Sequence, residues 1–436
     1  METAVVRHLR PVLDEVLNEA PITVIQGARQ VGKSTLAQAV ADSRVALTFT
    51  LDDEDTRQFV AHDPMAFVRQ APEKLIVIDE VQREPRLLLA LKSTVDEDRR
   101  PGRFLLTGSA NLLRLRGSGD SLAGRSESVT LCPFSMGEIE DGLHWSAQEE
   151  KFEYAAESES SGADDFVDRV VSDPTGLVVQ LQGLEQLDYP NLVLRGGYPE
   201  PILRTPRGAT RWFENYASRL ATHDATQLSG GGFPREMHKL ICILAAQGMS
   251  ELVVAKVARS LGISEAATNT YLGLLESMYL IQRLPSWGQG LLGRETRRDK
   301  VSLTDVGLAA AMLDFTADKS LTSGGFEFYG SLVEQFVATE LLKQREWSRQ
   351  RFRVYHYRSR QAEVDCIVEL ADGSVVAIEV KSSSSLKEDS WRNMDILRRK
   401  LGERFLAGIV LYSGRQAQAV GDRMYVLPLR ALWARA

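Results

Sequence analysis

Cysteine is nearly absent from this 436-residue chain: Cys132, Cys242 and Cys366 are far apart and odd in number. That excludes a disulfide framework and a clustered-cysteine metal site, and suits a reducing cytosol. No stretch approaches the ~18–20 consecutive apolar residues of a membrane-crossing helix, so no membrane partner is expected. The opening METAVVRHLRPVLDEVL has no apolar signal core, which points to a cytoplasmic protein. The six tryptophans are dispersed and form no stacking platform. An excess of positive charge is missing too. The net of −7 argues against a strongly basic nucleic-acid coat, although a global sum can hide local patches. What remains is ordinary globular composition, 44% hydrophobic and 25% charged, with length for two to four domains.

The charge is unevenly spread. Residues 138–174 carry twelve Asp/Glu against two Lys/Arg, a local net of −10, so the rest of the chain is +3. The stretch AQEEKFEYAAESESSGADD within it is polar and without clear periodicity, and reads as an exposed insertion or partly disordered connector. Residues 207–300 are +4 and residues 331–436 are +5, which permits contact with nucleic acid without demanding it.

The strongest motif is Gly27-Ala28-Arg29-Gln30-Val31-Gly32-Lys33-Ser34, followed by Thr35, which fits GxxxxGK[ST]. The apolar run PITVIQ precedes it as a buried strand should, and STLAQAVAD follows with helical spacing. Gly27 and Gly32 let the loop wrap phosphate oxygens with N–H groups pointing inward at a helix N-terminus. Lys33 would reach the β- and γ-phosphates of ATP and the Ser34 hydroxyl would ligate Mg²⁺. LIVIDEVQ (75–82) is an apolar strand ending in two acids. There Asp79 would hold the Mg²⁺ through water and Glu80 would polarise the attacking water. RFLLTGSAN (103–111) ends in Thr107, Ser109 and Asn111, where a polar side chain can sense the γ-phosphate from a strand between the other two. VALTFTLDD (45–53) and SESVTLCPF (126–134) supply two more strands, giving an α/β, doubly wound sheet. Arg125, just before the last strand, reads either as an arginine finger or as a surface arginine capping a turn. As a finger in trans it would require a homo-oligomer.

These segments, GARQVGKST, LIVIDEVQ, FLLTGS and LAGR, resemble the AAA-type P-loop ATPases of bacteria and archaea that carry a C-terminal domain of unknown function. So do LRGGYPEPIL, RWFENYASRL, KVSLTDVGLAAAML and GSLVEQFVATEL followed by AEVDCIV and IEVKSS. The resemblance covers most of the chain outside roughly residues 146–176. It implies an AAA-like module, a winged-helix segment and a C-terminal fold like restriction-type nucleases. The expected organisation is an ATPase core over 1–140, an acidic connector over 141–190, a helical and winged-helix region over 191–310 and a nuclease-like domain over 311–436.

Residues 251–287 read independently as helix–turn–helix and strand. Val253, Val257 and Leu261 lie on one face, Gly262 closes the first helix, and Ser264 can cap the second. Tyr271, Leu274 and Met278 would line the buried face of the second helix, and YLIQRLP would lead into a wing. That second helix has no Lys or Arg; its exposed candidates are Glu265, Thr268, Asn269 and Thr270. DNA binding would need cations from elsewhere, such as RETRRDK (294–300), and the alternative is a packing or partner surface.

Residues 362–381 read as a β-hairpin turning at Ala371-Asp372-Gly373. Centring the turn on residue 372 sets Asp365 opposite Glu379 and Glu363 opposite Lys381, all on one side, with Val364, Cys366, Val368, Val376, Ile378 and Val380 on the other. Opposed carboxylates ask for a cation. Lys381 is one and Mg²⁺ a stronger one. This is the D…ExK constellation of restriction-type nucleases, in which Asp365 and Glu379 would bind the metal and Lys381 would orient or help deprotonate the attacking water. Glu334 on the preceding helix matches an additional acidic residue of such folds. A Glu363–Lys381 surface ion pair is the plain alternative. Two functions follow: an ATPase acting on DNA with metal-dependent nuclease potential, or a nucleotide-dependent switch whose C-terminal domain binds a protein partner.

Overall fold

The structure is a computed structural model describing residues 5–108, 122–146, 149, 151–155, 164–181, 183–224, 234–288, 298–387 and 390–434. The chain divides into two compact units: Val5–Phe134 with Leu275–Leu280, and Ser135–Leu274 with Ile281–Ala436.

The first unit is built on five strands, β1 (Ile22–Gln26), β2 (Ala46–Thr50), β3 (Leu75–Asp79), β4 (Phe104–Gly108) and β5 (Ser126–Thr130). They form one sheet in the order β2-β3-β4-β1-β5, and every pairing is parallel. β1 and β4 are buried along their whole length, as continuous apolar runs in a sheet covered on both faces should be. Leu36-to-Val40 spacing on the helix Lys33–Asp42 and the apolar face of Leu87–Glu97 cover the sheet. The order places β4 between the P-loop strand and the acidic strand, as the polar end of RFLLTGSAN requires.

The second unit contains a hairpin, β6 (Leu143–Ser146) with β7 (Lys151–Tyr154), and then β8 (Ser250–Glu251), β9 (Ile281–Leu284) and β10 (Lys300–Leu303), antiparallel in the order β8-β10-β9. The helices Val254–Leu261 and Glu265–Ser277 make the expected helix–turn–helix. Gly262 caps the first at φ 75°, and the Ser264 hydroxyl accepts from Ala267 N at 3.2 Å. Two expectations about the second helix fail. Thr268 is fully buried, its hydroxyl turned back onto the Ser264 carbonyl at 3.0 Å. Leu274 is only half-buried, and the face turned inward runs through Leu272 and Leu275. Tyr271 and Met278 are buried as expected, so the inward face keeps its direction and is widened by Thr268, Leu272 and Leu275.

A six-stranded mixed sheet ends the chain: β11 (Phe352–Arg358), β12 (Glu363–Leu370), β13 (Val375–Lys381), β14 (Phe405–Tyr412), β15 (Gln418–Gly421) and β16 (Met424–Pro428), ordered β11-β12-β13-β14-β16-β15. Leu427–Trp433 does close the packing, with the Trp433 ring against Phe336 and Tyr189.

The acidic stretch is not simply an exposed connector. Glu138, Asp165 and Asp168 are buried and serve as helix caps: Ser135 with Glu138, and Asp165 with Asp168, complete capping boxes. The helix Phe166–Ser172 is then tied down by Arg169, which donates to the Ala431 carbonyl at 2.6 Å, and by Phe166 N, which donates to Gln344 Oε1 at 3.0 Å. Carboxylates near helix N-termini offset the macrodipole, so Glu138, Asp165 and Asp168 are placed where their charge stabilises the helix start.

Asp305 joins two of the motifs that carried the family resemblance. Fully buried, it caps the helix Val306–Met312 through Leu308 N at 2.9 Å and accepts from Gly197 N at 2.7 Å. Gly196, at φ 72°, has no room for a side chain, since a Cβ would lie 2.3 Å from the Asp305 carboxylate. Asp305→Ala strands two buried donors and removes a cap, and is expected to cost about 2–4 kcal/mol. A urea melt of the variant shows this as a lowered midpoint at unchanged slope.

Candidate functional site

In the first unit the phosphate loop leaves β1 at Gly27 and enters the helix at Lys33. Gly27 (φ 147°) and Gly32 (φ 97°) both adopt backbone that disfavours side chains. Gln30, at φ 63°, is one of the few non-glycine residues forced there. A Cβ on Gly27 would sit 2.2 Å from the Leu131 carbonyl oxygen. Ala28 and Val31 are buried and anchor the loop from beneath, whereas Gln30, Ser34 and Thr35 are exposed and Arg29 is half-exposed.

The Lys33 side chain is buried, its Nζ donating to the Gly27 carbonyl at 3.1 Å and the Ala28 carbonyl at 2.7 Å. Burial lowers its pKa to about 8, opposed by the nearby Glu80 and Asp79 carboxylates. The Ser34 hydroxyl donates to Asp79 Oδ1 and Oδ2 at 2.9 and 3.0 Å. Thr107 Oγ1 hydrogen-bonds Asp79 from the other side and accepts from Glu80 N at 3.2 Å. Glu80 itself turns the chain out of β3 at φ 56°, with its carboxylate held by Gln82. The structure therefore brings Lys33, Ser34, Asp79, Glu80 and Thr107 together. Ser109 lies outside the described residues. Arg125 is held by Asp96 through two hydrogen bonds of 2.7 and 2.9 Å and also donates to the Ala123 carbonyl at 3.1 Å.

Sequence reasoning missed Arg7. Its guanidinium is buried, donating to the Val31 carbonyl at 2.9 Å and the Cys132 carbonyl at 2.6 Å while lying over the Phe134 ring. It ties the back of the phosphate loop to the segment after β5. No local pattern announces this, because the partners lie 24 and 125 residues away.

The donor set fits ATP with magnesium. The Ser34 hydroxyl and Asp79 carboxylate, one donor-acceptor group and one hard anion within 3.0 Å, are the oxygen ligands Mg²⁺ takes. Because phosphate needs the ammonium form of Lys33, ATP affinity is expected to fall above pH ~8, by up to tenfold per pH unit. Titration calorimetry in two buffers of different ionisation enthalpy would show the accompanying proton uptake.

A second cluster occupies the second unit. The ladder between β12 and β13 runs from Cys366–Ile378 to Glu369–Val375, which is the register the turn arithmetic gave. Gly373 takes φ 85° in the turn. Past Cys366 strict alternation ends. β11 advances two residues, Tyr355 to Tyr357, while β12 covers three, Ile367 to Val364. The extra residue is a bulge at Asp365 and Cys366, opposite His356. Val364 consequently joins Ile367, Val375 and Ala377 in one core cluster instead of lying with Cys366 and Val376. Asp365 Oδ2 accepts from Val380 N at 2.8 Å.

The expected cross-strand pair of Glu363 and Lys381 is replaced. Lys381 Nζ donates to Glu379 Oε1 at 2.8 Å along its own strand. Glu363 instead lies 3.6 Å from both Lys300 Nζ and Arg358 Nε. Glu334, on the helix Ser323–Gln344, has its pKa pushed up to about 8, first by burial and then by Asp365. Burial and Asp365 likewise push Glu379 up to about 7, against the pull of Lys381. Asp365 is raised by burial despite Lys300. Lys300 is lowered by burial, but Asp365, Glu334 and Glu363 outweigh that and its pKa is raised.

So three acids and two lysines share one partly dry site, and Glu379 Oε2 is buried without a hydrogen-bond partner. An orphaned carboxylate oxygen beside a second carboxylate fits a hard cation. Among the described residues, no group of three or more His, Cys, Asp or Glu is arranged to hold a metal ion by itself. Two carboxylates completed by water is the set that Mg²⁺ commonly uses. Also among the described residues, no helix is long and apolar enough to cross a membrane.

Residues 19–140 match the family model described as an AAA domain, so this segment is similar to AAA domains. Residues 186–319 and 329–432 match two models, each described as a domain of unknown function (DUF8612 and DUF4143). Uncharacterized proteins from Mycobacterium tuberculosis and Mycobacterium bovis are each 28% identical over 378 residues, 86% of this chain and 73% of theirs. Among solved structures, a Walker-type ATPase of Pyrococcus abyssi is similar at 17% identity and TM-score 0.43, covering 70% of this chain and 95% of that one. AMPPCP-bound DnaA from Aquifex aeolicus is similar at 15% identity and TM-score 0.26, covering 62% and 85%.

Proposed function

We propose that this chain hydrolyses ATP at the phosphate loop and uses the turnover to act on DNA, through a winged-helix segment and a nuclease-like C-terminal domain. The observation that carries the first half is the placement of Ser34 and Thr107 in hydrogen-bonding reach of Asp79, whose carboxylate acts on the buried Lys33. Lys33 exchanges the Gly27 and Ala28 carbonyls for the β- and γ-phosphate oxygens. Backbone N–H groups at the start of the helix Lys33–Asp42 hold the phosphates. Ser34 and Asp79 would hold Mg²⁺, which supplies charge neutralisation on the phosphates. Glu80, its backbone N–H fixed by Thr107, orients a water for in-line attack and takes its proton.

The second half rests on the cluster around Asp365. Asp365 and Glu379 would hold a divalent cation, which polarises a scissile phosphate, while Lys381, hydrogen-bonded to Glu379, orients the attacking water. The exposed Glu265, Asn269 and Thr270 carry no positive charge, so phosphate contacts fall to other segments.

Purified full-length protein should show ATPase stimulated by DNA at low salt and Mg²⁺-dependent cleavage of DNA that Asp365→Asn reduces by at least a hundredfold. An ATPase rate indifferent to DNA, in a protein that does not bind DNA, defeats the DNA reading and leaves a nucleotide-dependent switch with a protein partner.

A further inference from the structure

The acidic cluster of the C-terminal sheet receives a cation from a different sheet. Lys300 opens β10, paired with Glu251 on one side and Leu284 on the other. Its side chain is only 7% exposed, and its Nζ lies 3.6 Å from Glu363 Oε1. Asp365, Glu334 and Glu363 together favour its charged form against burial. A buried ammonium has three donors and no acceptor, so it settles where negative charge is densest. Here that is the carboxylate cluster from which the proposed divalent-ion ligands are drawn. Lys381 plays a different part, being half-exposed and hydrogen-bonded to Glu379 on its own strand.

We propose that Lys300 is a resident counter-cation that competes with a divalent metal for Asp365 and Glu334, so that metal loading of the C-terminal site depends on where β10 holds its first side chain. The proposal rests on the reading of Asp365 and Glu379 as a metal site. It goes beyond that reading by making the helix–turn–helix sheet a control element. With Lys300 seated, the carboxylates are partly neutralised and metal binds weakly. Drawing β10 away leaves them unbalanced and raises affinity for the ion.

The test is Mn²⁺ binding to full-length, nucleotide-free protein carrying Asp79→Asn to silence the phosphate-loop site, followed by paramagnetic resonance of free Mn²⁺. Removing one charge from a partly buried site shifts cation affinity by about tenfold or more. Lys300→Met is expected to bind Mn²⁺ at least tenfold more tightly, and Lys300→Arg, which keeps the charge, within about threefold of the parent. Equal or weaker binding by folded Lys300→Met overturns the proposal. Should Lys300→Met be unfolded without metal, folding on addition of Mn²⁺ supports the competition, and failure of any Mn²⁺ concentration to fold it counts against it. If the parent protein binds no Mn²⁺ that Asp365→Asn removes, the metal-site reading itself fails. Tight parental binding that Lys300→Met leaves unchanged defeats only the role given to the lysine.

Discussion

Glu80→Gln is expected to bind ATP as tightly as the parent and to hydrolyse it about 10²–10⁴ times more slowly, the usual worth of a positioned general base. Lys33→Ala should differ in kind, losing affinity and turnover together. The contrast follows from where the two side chains point. On the proposed reading Lys33 meets the phosphates in both ground and transition states, so its removal weakens all phosphate contacts. Glu80 is joined to the site by its backbone N–H, which Thr107 accepts, and by a carboxylate that Gln82 steadies. Neither bond is lost in the amide variant, so geometry is retained and only basicity goes. Fluorescent-nucleotide titration and steady-state phosphate release separate the two. Unaltered ATP affinity in Lys33→Ala would end the phosphate-loop assignment, and full activity in Glu80→Gln would move the base elsewhere.

Gly27→Ala should damage both folding and binding. The new methyl would lie 2.2 Å from the Leu131 carbonyl oxygen, a backbone atom that cannot rotate aside, at a φ of 147° that already disfavours any side chain. Leu131 N donates to the Gln26 carbonyl at 2.8 Å, extending the β1–β5 pairing to the residue just before the loop. Relief therefore means prying β5 away from β1 or reshaping the loop. Strain and overpacking of this kind cost about 2–4 kcal/mol, and the phosphate cradle is lost with it. A urea midpoint near that of the parent, with ATP affinity intact, would show that the loop has slack the structure does not display.

Much of the ATPase domain was legible in the sequence because its signals are local. Three apolar runs end in residues with a chemical reason to be there and became β1, β3 and β4, with β4 where Thr107 needs it, and VALTFTLDD and SESVTLCPF became β2 and β5. The turn at Asp372 gave the β12–β13 register for the same reason, since three residues determine which partners meet. What escaped was long-range or against alternation. The bulge at Asp365 and Cys366 depends on β11, which strand periodicity within β12 does not report. Arg7 and Lys300 do their work on groups from 24 to 125 residues away, and from 63 residues away, respectively. Among the described residues of the acidic segment only Glu138, Asp165 and Asp168 depart from an exposed reading, because a carboxylate that caps a helix looks, as composition, like one that faces water.

The lysine of the phosphate loop is already fastened to two carbonyls of that loop, and Arg7 braces the opposite side. An arriving nucleotide thus meets a mould that has set. It trades one pair of oxygens for another without recruiting slack chain, so little ordering entropy opposes capture and the on-rate should be governed by diffusion and charge steering rather than by loop rearrangement.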